Sequence, residues 1–128
     1  MEELEEFRPT IVCLCGSTRF SEAYQRANLN ETLAGKIVLT IGCDMRSDED
    51  LFAAKSEGEK DEIKRKLDDL HLRKIDLCDE ILVLNVGGYI GESTLREIEY
   101  ANRIGKRIRC WERTWREKEL GGDREDAR

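Results

Sequence analysis

Short, continuously apolar segments alternate with helical patterns along this 128-residue chain. The apolar segments are Thr10–Cys15, Lys36–Ile41 and Ile81–Asn85, and a further strand is predicted at Arg107–Trp111. Runs that are apolar throughout, rather than at every second residue, are typical of strands covered on both faces, as in parallel sheets. Parallel strands need long crossovers, and the segments between these runs are long enough to supply them.

The intervening segments predict helices at Ser21–Ala34, Lys60–Cys78 and Ser93–Ile104. Gly35 and Gly105 follow two of these segments, at the position where a helix commonly ends in a left-handed residue. The alternating order predicts a single-domain, three-layer α/β/α fold with right-handed crossovers. Its parallel sheet is expected to be flavodoxin-like or Rossmann-like, with about four to five strands.

The domain is predicted to span residues 1–112, followed by a charged tail over residues 113–128. A long polar connection, Gly42–Glu59, is expected to act as a lid or binding loop and to include a short helix at Asp50–Lys55.

The second predicted helix shows the clearest periodicity in the chain. Ile63, Leu67, Leu70 and Leu77 recur at helical spacing, and the remaining positions are mostly charged. His71, the only histidine, lies at the edge of this apolar stripe. A lone histidine there is more often a packed helix residue than a catalyst, so both roles stay open.

Composition narrows the range of partners. Charged residues make up 39% of the chain and the net charge is −6, which disfavours binding to a nucleic acid polymer. A small anion held by one or two arginines remains compatible with that charge. No apolar run is long enough to cross a bilayer, and the acidic start MEELEEF is unlike a signal peptide, so the sequence predicts a cytoplasmic protein without membrane contact.

The five cysteines predict buried, reduced thiols rather than a metal site. There is no Cys-x-x-Cys pair, and no histidine lies at ligand spacing, so no metal is expected. Cys13 and Cys15 are separated by one residue on the first strand and should therefore share a face.

The segment CGSTR, Cys15 to Arg19, follows the first strand and is the first candidate for chemistry. Gly16 allows a tight turn, Ser17 and Thr18 offer hydroxyl and N–H groups, and Arg19 supplies a fork suited to phosphate or carboxylate. The alternative is structural: Ser17 or Thr18 caps the next helix, and Arg19 is a solvated surface residue.

The second candidate lies within ILVLNVGGYIGESTLREIEYA, Ile81 to Ala101, where a strand runs into a loop containing Gly87, Gly88 and Gly91. A helix predicted to open at Ser93 or Thr94 would add N–H groups and a positive dipole end. The loop matches neither GxGxxG nor a phosphate-binding P-loop.

Glu97 falls within the apolar arc of that last helix. A carboxylate on a buried face is costly unless it is hydrogen-bonded or functional. The competing interpretation is a capping box, in which Glu97 bonds back to the N–H of Thr94.

The segments CGSTR, KIDLCDEILVLN, GYIGESTLREIEYA and GKRI together resemble the nucleoside 2-deoxyribosyltransferase-like superfamily, over Thr10 to Trp111. That group includes nucleoside deoxyribosyltransferases and N-glycosidases that cleave nucleoside 5′-monophosphates. Glu97 matches the family's nucleophilic glutamate. CGSTR resembles the phosphate-gripping loop of the nucleotide-hydrolysing branch, which implicates Gly16, Ser17 and Arg19.

The resemblance implies cleavage or transfer of an N-glycosidic bond on a nucleoside 5′-monophosphate or nucleoside, without a cofactor. Glu97 would act as nucleophile and His71 would protonate the departing base. The expected ligand-binding residues, apart from those two, are Gly16, Ser17, Thr18, Arg19, Gly88, Gly91 and Ser93. A non-catalytic, regulatory nucleotide-binding module on the same fold is the alternative, and a different reaction on a phosphorylated sugar also stays open.

The resemblance also implies a homodimer or a larger homo-oligomer, with Tyr89, Trp111 and Trp115 as candidate contact residues. The chain departs from the family pattern at Cys13, where an aromatic residue is common, and at His71, where an aspartate is usual. It departs again at Gly91, where relatives carry aspartate or serine.

Overall fold

Strands and helices alternate along the residues that the computed structural model describes, which are 8–41 and 55–113. The elements in chain order are β1 (Ile11–Cys15), α1 (Ser21–Leu33), β2 (Ile37–Leu39), α2 (Glu57–Leu77), β3 (Glu80–Val83), a 3₁₀ turn (Val86–Gly88), α3 (Glu92–Arg103) and β4 (Arg107–Cys110). The predicted parallel α/β architecture is confirmed, with element ends shifted by a few residues. The predicted short helix at Asp50–Lys55 lies almost wholly outside the described residues, as do Trp115 and nearly all of the tail.

The sheet is parallel throughout, and its strand order is β2-β1-β3-β4. Ile11 of β1 pairs with Ile37 of β2, whereas Val12 pairs with Glu80 of β3 on the other side. The chain therefore leaves β1 in one direction and returns to its opposite side, so that strand order reverses between β1 and β3. In open parallel sheets, ligands bind beyond the carboxyl ends of the strands at such a reversal.

Two apolar clusters cover the two faces of the sheet. One packs α1 on the sheet and contains Val12, Leu14, Ala23, Tyr24, Ala27, Leu82, Leu84 and Trp111. The other lies under α2 and α3 and contains Cys13, Cys15, Ile75, Cys78, Ile81, Val83 and Ala101. Cys13 and Cys15 share a face, as their spacing predicts. Trp111 is only 8% exposed and belongs to the core, so its predicted role as a contact residue between copies is wrong.

Glycines end two of the helices, and a capping box begins a third. Gly35 and Gly105 adopt φ of 89° and 80°, which confirms both as left-handed residues that end a helix. Helix α2 begins three residues before the predicted Lys60, because Ser56 and Glu59 form a reciprocal capping box. The Ser56 N–H donates to Glu59 Oε1 at 3.0 Å, and the Glu59 N–H donates to Ser56 Oγ at 3.2 Å.

The apolar stripe of α2 does not face the sheet, contrary to the usual outcome of such a pattern. Leu67, Leu70 and Leu77 are 44%, 49% and 68% exposed. The buried residues of the helix are His71 and Ile75. Ile75 packs in the same cluster as the cysteines of β1, so close contact with these small side chains sets the rotation of the helix.

A buried ion cluster joins α1 to the amino ends of the strands. Lys36 Nζ lies 3.1 Å from both Glu31 Oε1 and Glu80 Oε2, and Arg109 pairs with the same two carboxylates. Burial alone would raise the pKa of Glu80. The hydrogen bond from Lys36 and the charge of Arg109 outweigh burial and hold the pKa below its ordinary value.

We expect Glu80→Gln to lower the free energy of unfolding by about 3 kcal/mol, because it removes a buried carboxylate from the partly buried Lys36 and Arg109 and leaves each cation with one anionic partner fewer. Since the folded-state pKa of Glu80 is depressed, this stabilisation is present above the unfolded pKa and is lost as pH falls through the folded value. Urea denaturation at neutral and acidic pH measures both effects. Glu99→Gln removes the same charge from an exposed position and should change little; equal effects of the two substitutions would contradict the prediction.

Within residues 8–41 and 55–113, none of the helices combines the length and apolar character that a membrane crossing requires.

Candidate functional site

A cavity of about 430 Å³ opens where the loops after β1 and β3 approach α2. Three segments form most of its wall: the loop after β1, the start of α3 with its preceding loop, and one side of α2. The lining residues are Gly16, Ser17, Thr18, Ile41, Lys64, Leu67, Asp68, Leu70, His71, Lys74, Tyr89, Gly91, Glu92, Ser93, Thr94 and Glu97. The cavity thus occupies the position that the reversal of strand order indicates.

The loop after β1 passes close to the end of β3, where a side chain at position 16 would be crowded. A Cβ on Gly16 would lie 3.1 Å from the Cβ of Leu84 and 3.3 Å from its carbonyl oxygen. The hydroxyl of Tyr24 donates to the Gly16 carbonyl at 2.8 Å and fixes the turn. Because of this turn, Ser17 and Thr18 both lie on the cavity wall.

Ser17 and Thr18 do not cap α1, so the structural alternative for them is wrong. The N-cap of α1 is Phe20, which makes no side-chain capping bond. The Ser17 hydroxyl oxygen instead accepts from the N–H and Nε of Arg19, at 3.3 and 3.2 Å.

Arg19 lies beside the cavity rather than on its lining. Its guanidinium stacks 4.6 Å from the centre of the Tyr89 ring, and Nη2 lies 3.5 Å from the Tyr89 hydroxyl. The side chain is exposed, as the structural alternative for Arg19 predicts, and it lies next to Ser17 at the outer margin of the site. Gly88 also falls outside the lining, whereas Gly91 and Ser93 line the cavity.

Glu97 does not belong to a capping box. Helix α3 begins at Glu92 after Gly91 as N-cap, with no side-chain capping bond, so Thr94 is already inside the helix and Glu97 is in its second turn. The Glu97 side chain is 14% exposed and lines the cavity. Burial raises the pKa of Glu97 to about 7, because a desolvated carboxylate binds a proton more tightly, while the charge of His71 opposes that shift.

His71 extends from α2 into the same site. Its Nε2 lies 3.9 Å from Glu97 Oε1, 3.7 Å from Cys13 Sγ and 3.5 Å from Cys15 Sγ. Burial alone would lower the pKa of His71. The hydrogen bond and charge of Cys13 and the charge of Glu97 outweigh burial, and the pKa lies above the ordinary histidine value. The raised pKa favours the protonated form of the ring beside the carboxylate.

Sequence reasoning did not identify the polar residues that α2 adds to the cavity. Lys64, Asp68 and Lys74 line it together with His71. Lys64, Asp68 and His71 lie at i, i+4 and i+7, so the signal was a polar stripe with helical spacing beside the apolar one.

No protein-family model, no curated protein and no solved structure matches this chain, so the interpretation of its function depends on this cavity and the side chains within it.

Proposed function

We propose that the chain cleaves or transfers the N-glycosidic bond of a nucleoside 5′-monophosphate or nucleoside, with Glu97 as nucleophile. The observation that carries this proposal is the placement of the Glu97 carboxylate on the wall of a cavity that also contains Ser17 and Thr18. A cavity of about 430 Å³ lies within the range of small-molecule sites.

In the proposed reaction, ionised Glu97 attacks C1′ of the sugar and forms a glycosyl ester. The bond from C1′ to the base breaks, and its electron pair leaves with the base. His71, 3.9 Å from the carboxylate, supplies the proton that neutralises the departing base. Water then hydrolyses the ester and releases the sugar phosphate, or a second base accepts the sugar.

Cationic side chains at the cavity suit an anionic group of the substrate. Lys64 and Lys74 line the cavity together with the acidic Asp68, Glu92 and Glu97, and Arg19 lies at its margin beside Ser17. Hydroxyl and N–H groups of the loop after β1, with a guanidinium beside them, are the groups that recognise phosphate oxygens. These features favour a nucleoside 5′-monophosphate, and hence hydrolysis, over a free nucleoside.

Incubation of the wild-type chain with a panel of purine and pyrimidine nucleotides and nucleosides, followed by chromatography, tests the proposal. We expect free base to appear together with a stoichiometric amount of sugar phosphate. Absence of base from every compound would refute the enzymatic proposal. If the same nucleotides then raised the melting temperature of the chain, the non-catalytic binding module would be the better account.

We expect Arg19→Ala to raise KM for a nucleoside monophosphate by about tenfold and to leave KM for the matching nucleoside nearly unchanged, because only the former presents a phosphate to the guanidinium. Steady-state kinetics on the two compounds measure the difference. Arg26→Ala removes an exposed arginine from α1 and serves as the control. An equal loss on both compounds would contradict a phosphate-specific role for Arg19.

A homo-oligomer remains part of the proposal. Leu67 and Leu70 are roughly half exposed and belong to the cavity wall, so a second copy packed on α2 would cover apolar surface next to the site. A cytoplasmic location likewise stays a prediction, supported by the buried thiols of Cys13, Cys15 and Cys78.

A further inference from the structure

Two cysteines and a histidine converge under α2. The Sγ atoms of Cys13 and Cys15 and a ring nitrogen of His71 all lie within 4.8 Å of one another, and all three residues are buried. His71 Nε2 is 3.7 Å from one sulfur and 3.5 Å from the other.

These distances correspond to the edges of a tetrahedral zinc site. With Zn–S bonds of about 2.3 Å and Zn–N bonds of about 2.0–2.1 Å, the sulfur and nitrogen ligands of a tetrahedron lie about 3.5–3.6 Å apart. The two observed sulfur–nitrogen distances fall within about 0.2 Å of that edge. The histidine nitrogen therefore already lies at zinc-site distance from each sulfur, and the two sulfurs lie within 4.8 Å of each other.

We propose that Cys13, Cys15 and His71 bind Zn²⁺ with three protein ligands, leaving a fourth position directed towards Glu97 and the cavity. Two thiolates and an imidazole select a thiophilic ion and disfavour Mg²⁺ or Ca²⁺, which prefer oxygen ligands. Binding requires both cysteines as thiolates and His71 as a neutral imidazole, so the protons that these groups still hold are released to solvent, and the two thiolate charges balance the charge of the ion.

The location of Glu97 indicates where the fourth coordination position of the ion lies. Its Oε1 lies 3.9 Å from the same Nε2, and both residues line the cavity, which supplies a route for the ion. A position of this kind, with three protein ligands and one side open to a cavity, is typical of reactive zinc rather than structural zinc. The bound ion would occupy His71 Nε2, so zinc should inhibit any reaction that uses His71 as an acid.

No metal was expected from the sequence, because common zinc motifs place their ligands in closely spaced pairs along the chain. Here His71 is 58 residues from Cys13, and packing of α2 on β1 joins them. The inference is independent of the proposed N-glycosidase activity, and its test uses no nucleotide.

Titration of the full, reduced and metal-free chain with Co²⁺, followed by displacement with Zn²⁺, tests the site. We expect one equivalent of Co²⁺ to produce the charge-transfer and ligand-field bands of a tetrahedral cobalt site with two thiolates, and Zn²⁺ to abolish them. Zinc should also raise the melting temperature, because the ion joins β1 to α2.

Cys15→Ser and His71→Asn should each weaken binding by at least about tenfold. Cys110→Ser, which removes a thiol from β4 outside the cluster, should bind as wild type does. Absence of the thiolate bands from the wild-type chain would overturn the proposal, and this result does not depend on whether any variant folds. Wild-type affinity in Cys15→Ser would overturn it as well.

Discussion

We expect Glu97→Gln to release free base at least about 10³-fold more slowly than the wild-type chain, because an amide cannot attack C1′. The substitution keeps the size and shape of the side chain, so the cavity should still bind the nucleotide. Initial rates measured by chromatography, with binding measured separately by calorimetry, separate the chemical step from affinity.

Glu92→Gln is the matched control for this experiment. Glu92 also lines the cavity, but it is exposed at the start of α3. Its substitution removes the same charge from the same cavity and should reduce the rate by less than about tenfold. Comparable losses in the two variants would show that the overall charge of the cavity, rather than a nucleophile at position 97, governs the rate.

The same substitution should make the fold more stable at alkaline pH. The pKa of Glu97 rises from 4.5 in its ordinary state to about 7 in the folded chain. The stability that follows from this raised pKa is fully present at pH values below the pKa of Glu97 in the unfolded chain. It is lost as the pH rises through the pKa of Glu97 in the folded chain. Wild type therefore loses about 3 kcal/mol of stability between about pH 4 and pH 8 from this one carboxylate, and Glu97→Gln does not.

Urea denaturation of both proteins across this pH range measures the effect. At about pH 8 the glutamine variant should be more stable by about 2–3 kcal/mol, and near pH 4 the two should be nearly equal. Glu99→Gln controls for the loss of an acidic charge on the exposed side of the same helix. A constant difference between Glu97→Gln and wild type at all pH values would show that burial does not raise the pKa of this group. Functional sites often lower the stability of a fold in this way, because activity requires a charged group in a partly buried position.

The positions of the strands and helices along the chain follow from local signals in the sequence. Continuous apolar runs such as Ile81–Leu84 indicate strands covered on both faces, and glycines at positions 35 and 105 mark the ends of helices. The predicted start of α2 at Lys60 was wrong because a local signal was missed. Ser56 and Glu59 form a capping box that starts the helix earlier. The prediction for α3 put its start at Ser93 or Thr94, yet Gly91 is the N-cap, and this shift rules out the capping box that was the competing interpretation of Glu97.

The rotation of α2 could not be derived from its periodicity. The apolar residues Leu67, Leu70 and Leu77 formed the strongest stripe, but the helix buries His71 and Ile75 instead. Packing against the sheet decides which of two adjacent faces of a helix is buried. The shape of that sheet surface cannot be derived from the periodicity of the helix alone. The same packing brings His71 to the two thiols of β1.

The candidate site was only partly accessible from sequence. The loop residues Gly16, Ser17 and Thr18 and the carboxylate of Glu97 lie where strand ends and helix starts predicted them. Arg19 could be assigned to the correct loop, but its stacking on Tyr89 is a contact across 70 residues that no local pattern encodes. Lys64 and Lys74 became part of the site only through the rotation of α2.

Mass spectrometry of the acid-quenched reaction detects the proposed glycosyl ester on Glu97 itself. Wild-type chain mixed with a nucleoside monophosphate is quenched within the first turnovers, digested and searched for a sugar-phosphate adduct. We expect this mass on the peptide containing Glu97, and we expect it to be absent when Glu97 is replaced by glutamine. Release of free base without an adduct on that peptide, at the same rate in both proteins, would contradict the role of Glu97 as nucleophile.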